Sequence, residues 1–128
     1  MARIGRGLNI LLGIFKEDTE DDIDKLVAKL VHLRIFADEA GKMNRSILDI
    51  GGEALIVSQF TLAGSVKKGR RPSFDGAMPP QEAKQLYTRF CQKMAEHLPV
   101  QTGEFGAMMD VKIHNDGPVT FIVDSRVL

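Results

Sequence analysis

Two stretches of this sequence carry apolar residues at helical spacing, and each follows an apolar run of strand length. That alternation constrains the fold more than any other feature. Ile23, Leu26, Val27, Leu30 and Val31 recur at i, i+3, i+4, i+7 and i+8, one face of an amphipathic helix. Thr19 and Asp22 stand at capping-box spacing before it, with Asp in place of the usual Glu. A second helix is expected to open at Pro80, where a proline suits the first helical position, and to close at Pro99. Its apolar face is Ala83, Leu86, Tyr87, Phe90, Met94 and Leu98. The preceding runs, Leu8–Phe15 and Glu53–Phe60, read as strands, as do the shorter Arg34–Phe36 and Ser46–Ile50. Asp38-Glu39-Ala40-Gly41 and Gly51-Gly52 are turns by composition. Met109, Val111 and Ile113 alternate with polar residues as in a half-buried strand, and Val119–Val123 is expected to be the last strand. Strands joined partly by hairpins and partly by helices predict one mixed α/β domain over residues 1–128, a layered or barrel-like sheet with two main helices.

At 128 residues, 44% of them hydrophobic, the chain can bury a core without metal or disulfide staples. The single cysteine, Cys91, excludes an internal disulfide and lies on the apolar side of the second helix, where an inert role is expected. No apolar run reaches membrane-spanning length, and Met1–Arg6 lacks the pattern of a secretory signal, so the expected compartment is the cytoplasm. Net charge is zero, which argues against holding nucleic acid by bulk electrostatics. The charge is unevenly placed, however. Glu17–Asp22 is an acidic block, whereas Lys67, Lys68, Arg70 and Arg71 crowd into the irregular stretch Ala63–Pro80. A local phosphate contact is therefore permitted, and a solvated basic loop is the plain alternative.

Common catalytic signatures are missing: there is no G-x-S-x-G, no H-E-x-x-H, no P-loop and no paired C-x-x-C. His32, His97 and His114 stand far apart, so neither a metal site nor a cofactor is expected. Two strings remain. Ser58-Gln59-Phe60-Thr61-Leu62 ends a strand, and Asn115-Asp116-Gly117-Pro118-Val119-Thr120 forms a turn.

Those strings resemble the S-Q-F-T-L and N-x-G-P-V-T motifs of the D-aminoacyl-tRNA deacylases. The likeness extends through Arg34-Ile35-Phe36, Gly41-Lys42-Met43-Asn44, Arg71-Pro72-Ser73-Phe74 and Gln101-Thr102-Gly103, from about Gly5 to Val123. Relative to the family pattern the chain starts at or after the segment Ile4–Leu8. The resemblance therefore implies a sheet without the family's first strand and without an arginine carried near the site.

The resemblance implies hydrolysis of the ester joining a D-amino acid, or glycine, to the terminal adenosine of tRNA. It implies a homodimer whose substrate is aminoacyl-tRNA, with proofreading of translation as the role. Such hydrolysis needs a positioned water and donors for the oxyanion, and backbone N–H groups can supply the donors. The strand end Ser58, Gln59, Phe60 and Thr61 is the expected place, with Gln59 and Phe60 as donors. The family's substrate 2′-hydroxyl is held to assist the water, so no protein base is required. Ser58 and Thr61 could each be a nucleophile or only position groups, since no base is placed by sequence to activate either. About 5–6% of X–Pro bonds in folded proteins are cis, so sequence alone does not propose one at Gly117-Pro118. The family does, as a gate reaching into the partner subunit's pocket and excluding L side chains. Lys67, Lys68, Arg70 and Arg71 would then meet tRNA phosphates, and Met43 and Phe74 would line the adenosine pocket. Two rival readings stand beside this one: a non-catalytic tRNA-binding module, and a hydrolase of small D-amino acid esters.

Overall fold

A computed structural model describes residues 1–128. The first strand, β1 (Gly7–Leu12), runs parallel to β4 (Glu53–Ser58), in register from Gly7 opposite Glu53 to Leu12 opposite Ser58. β5 (Val100–Thr102) pairs parallel with the other edge of β4, giving the order β1-β4-β5. Parallel neighbours need a crossover, and two helices supply it: α1 (Glu20–His32) between β1 and β4, α2 (Pro80–Ala95) between β4 and β5. The remaining pair, β2 (Phe36–Ala37) and β3 (Met43–Arg45), forms a small antiparallel ribbon between α1 and β4. Neither helix is long and apolar enough to cross a membrane.

Strand alternation sends Leu8, Ile10, Leu12, Ala54 and Ile56 to one face, and both helices pack there. Ile23, Val27 and Val31 of α1 meet Tyr87, Phe90 and Met94 of α2, with Phe90 and Met94 fully shielded from solvent. Truncating either to alanine would cost about 2–5 kcal/mol. Glu20 accepts from Arg89 Nε at 2.6 Å and lies 3.2 Å from Lys93 Nζ, and Asp24 pairs with the same lysine, so the helices are also laced along their exposed seam. At the start of α1 the Asp22 carboxylate accepts the Thr19 N–H at 2.8 Å, the expected capping contact, and that bond holds the Asp22 pKa below its usual range.

Three expected strands take other forms. Ser46–Ile50 is a turn: the Ser46 N–H donates to Asp49 Oδ2 at 2.8 Å and the Asp49 N–H to Ser46 Oγ at 3.1 Å. These short polar side chains outcompete a ladder for the backbone, and the turn drives Ile47 into the core. Met109–Ile113 and Val119–Val123 join no ladder within the chain. The short strand expected at Arg34–Phe36 begins instead at Phe36. The sheet stays open within one chain, with the free side of β1 at its edge.

Candidate active site

β4 ends at Ser58, and the chain turns at once into a short 3-10 helix, Phe60–Ala63. Gln59 carries the transition. Its N–H donates to the Leu12 carbonyl at 2.8 Å, extending the β1–β4 ladder by one bond, and its own carbonyl accepts from Leu62 at 3.1 Å. The Gln59 amide is therefore engaged inside the sheet and is not free to meet a ligand. Phe60 and Thr61 come next. As the first residues of a 3-10 turn their N–H groups have no intrahelical acceptor, and both residues are exposed. The pair of free donors is thus Phe60 and Thr61, displaced by one residue from the pair expected from sequence. The displacement arises because the last bond of the β1–β4 ladder takes the Gln59 N–H.

The Thr61 hydroxyl accepts from Gln59 Nε2 at 2.6 Å. An amide donor cannot remove a proton, so this contact orients the hydroxyl without activating it. Ser58 is half-buried at the last register position of β4, opposite Leu12. Behind the site, the buried Tyr87 hydroxyl donates to the Ile56 carbonyl at 2.9 Å and reaches the Gly103 carbonyl at 3.4 Å. It ties β4 to the residue following β5. Burial pushes the Tyr87 phenol well above its ordinary pKa, so it stays neutral.

The stretch Ala63–Pro80 is not structureless. Ser65 and Ser73 exchange backbone bonds at 2.7 and 2.8 Å, folding a hairpin whose exposed tip carries Lys67, Lys68, Arg70 and Arg71. Its root is tied to the loop after β1 by Lys16 N–H to the Gly76 carbonyl and Met78 N–H to the Ile14 carbonyl, each 3.0 Å. The hairpin lays Phe74 against Phe60, ring centroids 5.1 Å apart. Gly64 makes that approach possible, since a Cβ there would sit 2.8 Å from the Phe74 ring. One half of the expected adenosine pocket is therefore beside the free amides. Met43 is not. It lies exposed on β3, in the segment leading to the start of β4, whereas Phe74 lies beside the end of β4.

Two supports had no signal in the sequence. The Arg126 guanidinium sits 4.3 Å from the centre of the Phe15 ring, clamping the loop that anchors the hairpin root. Asp18, in the same loop, accepts the Phe15 N–H at 2.7 Å, and partial burial raises its pKa. More than a hundred residues separate Phe15 from Arg126, so no local pattern could pair them.

Gly117-Pro118 lies on an exposed turn in the irregular segment after β5, and its peptide bond is cis. Asn115 organises the turn: its Oδ1 accepts the Val119 N–H at 3.1 Å and its Nδ2 donates to Thr120 Oγ1 at 3.0 Å. Gly117 has φ +128°, and a Cβ there would meet Val119 Cγ2 at 2.6 Å, so only glycine fits. Cys91 is half-buried and burial raises its thiol pKa, which leaves it unreactive.

The model of the D-Tyr-tRNA(Tyr) deacylase family matches residues 1–124. The chain belongs to that family. As a member it is an ester hydrolase of the D-aminoacyl-tRNA deacylase kind. It is 65% identical, over 128 residues, to the D-aminoacyl-tRNA deacylase of Persephonella marina, covering all of this chain and 87% of that one. The D-aminoacyl-tRNA deacylase of Nitratiruptor sp. is 63% identical with the same coverage, and that of Aquifex aeolicus 61% identical over 98% of this chain and 86% of its own. Among solved structures, a c-Myc DNA unwinding element binding protein superposes with a TM-score of 0.85 at 44% identity, covering 91% of this chain and 80% of that one. A probable eukaryotic D-amino acid tRNA deacylase shares the fold, with a TM-score of 0.73 at 21% identity over 82% of this chain and 77% of its own. The strings Ser58–Leu62 and Asn115–Thr120 coincide with the turn that bears the free amides and with the turn held by Asn115.

Proposed function

We propose that this deacylase hydrolyses D-aminoacyl-tRNA and glycyl-tRNA at the Phe60–Thr61 turn, as a homodimer in which the partner's Gly117-Pro118 turn excludes L side chains. The observation that carries the reading is the pair of unsatisfied N–H groups at an exposed turn, beside a hydroxyl oriented by Gln59. Two such donors suit the oxyanion of a tetrahedral intermediate, where preorganised dipoles are worth most. No basic side chain bonds Thr61, so the attacking water draws its activation from the substrate's own 2′-hydroxyl, and Thr61 positions. The Phe60–Phe74 pair offers a stacking surface for the terminal adenine. The hairpin tip, Lys67 to Arg71, meets the adjoining phosphates.

Support for the dimer comes from the segment after β5. Ile113, Phe121 and Ile122 are exposed there, Ile122 by 97%, and the segment's alternating pattern lacks a ladder within the chain. Apolar residues in strand alternation without an intrachain partner fit burial against a second copy. Discrimination by exclusion accepts glycine as well as D residues, because neither places a side chain where an L residue does.

The test is deacylation of matched D-Tyr-tRNA, L-Tyr-tRNA and Gly-tRNA by the purified protein. Cleavage of the D and glycyl esters with the L ester untouched is the expected result. Equal cleavage of D and L would remove the gate, and tight tRNA binding without turnover would make the chain a binding module.

A further inference from the structure

We propose that Arg126 is a positioning residue for the substrate's terminal nucleoside, acting through the Phe15 ring to hold the hairpin that presents Phe74. The proposal rests on the deacylase reading, in which the Phe60–Phe74 pair takes the adenine. Of the chain's cations, two stand over an aromatic ring. Arg6 lies 5.7 Å from the centre of Phe36, near the start of β1 and so at the end of the sheet opposite the site. Arg126 lies 4.3 Å from the centre of Phe15, in the loop that receives the hairpin root.

The contacts run unbroken from Arg126 to Phe74. A Cβ at Gly76 would stand 3.7 Å from Phe15 Cδ2 and 3.6 Å from the Ala63 carbonyl oxygen. This one residue of the hairpin root therefore lies against both the Phe15 ring and the end of the 3-10 turn. The Phe15 backbone forms an antiparallel bridge with Ala77, and its N–H is fixed by Asp18 Oδ2 at 2.7 Å. Two residues before Gly76, Phe74 packs on Phe60 with ring centroids 5.1 Å apart. The Phe15 ring is thus the piece between the guanidinium and the hairpin.

The tail is the fixed side of this contact. Arg126 lies in a short 3-10 turn, Ser125–Val127, that packs against α1 with Ser125 buried. Asp124 accepts from Arg126 Nε at 3.1 Å and from Nη2 at 2.8 Å, and this paired contact sets the plane of the guanidinium. The hairpin is the loose side. Its residues from Ser65 to Asp75 are exposed, and elements with few buried contacts open at low free energy. The free amides do not depend on the clamp, because the Gln59 N–H on the Leu12 carbonyl sets where they begin. Loosening the clamp should therefore weaken nucleoside binding and leave the chemical step alone. Apparent affinity falls in proportion to the fraction of molecules whose ring is in place.

The experiment compares Arg126→Gln, which keeps a hydrogen-bond donor for Asp124 and loses the cation, with Arg126→Lys, which keeps the cation. Steady-state cleavage of D-Tyr-tRNA is measured for each, and for Arg126→Gln in a Phe74→Ala background. Hydrogen exchange follows the Lys16 and Met78 amides at the hairpin root. Expected for the Gln variant is a KM raised about two- to fivefold at constant kcat, the factor an exposed cation–π contact supports. The Lys variant should stay within about twofold of wild type. In Phe74→Ala the Gln substitution should change KM no further, because the ring it positions is gone. The root amides should exchange faster in the Gln variant while the β4 amides keep wild-type rates. An unchanged KM overturns the proposal even where exchange quickens, since the hairpin is then held but not for the substrate. A fall in kcat, or the same KM rise without Phe74, overturns it too. A wild type that cleaves no D-Tyr-tRNA removes the deacylase reading and this assignment together. An active wild type with an indifferent Gln variant removes the assignment alone.

Discussion

Replacing Phe60 with proline deletes one of the two free amides while leaving the turn able to form. Phe60 is the first residue of the 3-10 turn, where an N–H has no intrahelical acceptor and proline is tolerated. The preceding residue must then stay out of the α region, and Gln59 already does, at φ −139° and ψ 80°. Proline also removes the ring, which is 59% exposed and lies 5.1 Å from Phe74. Phe60→Ala removes the same ring and keeps the N–H, so the ratio of the two variants isolates the donor. An aromatic pair is worth about 0.5–1.5 kcal/mol, a cost both variants share. An oxyanion donor is worth about 10²–10³ in rate, which only the proline variant loses. Single-turnover cleavage of D-Tyr-tRNA, at saturating enzyme, reads the chemical step directly. The expected order is wild type, then Phe60→Ala within about tenfold, then Phe60→Pro a further hundredfold or more below. Two well-folded variants with rates within a factor of about three of each other would refute amide stabilisation at this turn.

Thr61→Val removes the hydroxyl that Gln59 holds at 2.6 Å and should slow single-turnover cleavage by about tenfold or less. Abolished cleavage with intact tRNA binding would instead restore Thr61 as a nucleophile. Gly117→Ala forces a Cβ to within 2.6 Å of Val119 Cγ2 at φ +128°, so the turn must shift. The D/L cleavage ratio should fall while the melting temperature barely moves, and an unaltered ratio would count against the gate. The Asp124 carboxyl is held at about 2 by hydrogen bonds from Arg126, below its ordinary 3.8. A depressed carboxylate stabilises the fold above its unfolded value and loses that contribution as pH falls, here between about pH 4 and about pH 2. Asp124→Asn should therefore flatten the melting-temperature profile across that window. Profiles parallel to wild type would show that this exposed pair contributes nothing measurable.

What was legible in the sequence followed from burial within one chain. The α1 face at Ile23, Val27 and Val31 and the α2 face at Tyr87, Phe90 and Met94 were readable because each buries against the other helix and the sheet. The motif at Ser58–Thr61 was readable as a string, but its geometry was not. Which amide stays free depends on the Leu12 carbonyl taking the Gln59 N–H, a contact across 47 residues that no local pattern encodes. Ser46–Ile50 misled for a related reason. Its apolar residues suggested a strand, while the reciprocal Ser46–Asp49 bonds close a turn that hydrophobic periodicity does not register. Met109–Ile113 and Val119–Val123 are the most informative misses. Alternation reports that one face of a segment is to be covered, and it does not say by which chain. In the single chain Ile113 is 53% exposed and Phe121 54%, so the pattern stands without the surface that would explain it. On the dimer reading that surface is the second subunit, and the turn at Gly117-Pro118 lies between these two segments. The residues that would hold the dimer together then flank the residues that would select the substrate, and loss of the dimer should loosen discrimination before it unfolds the chain.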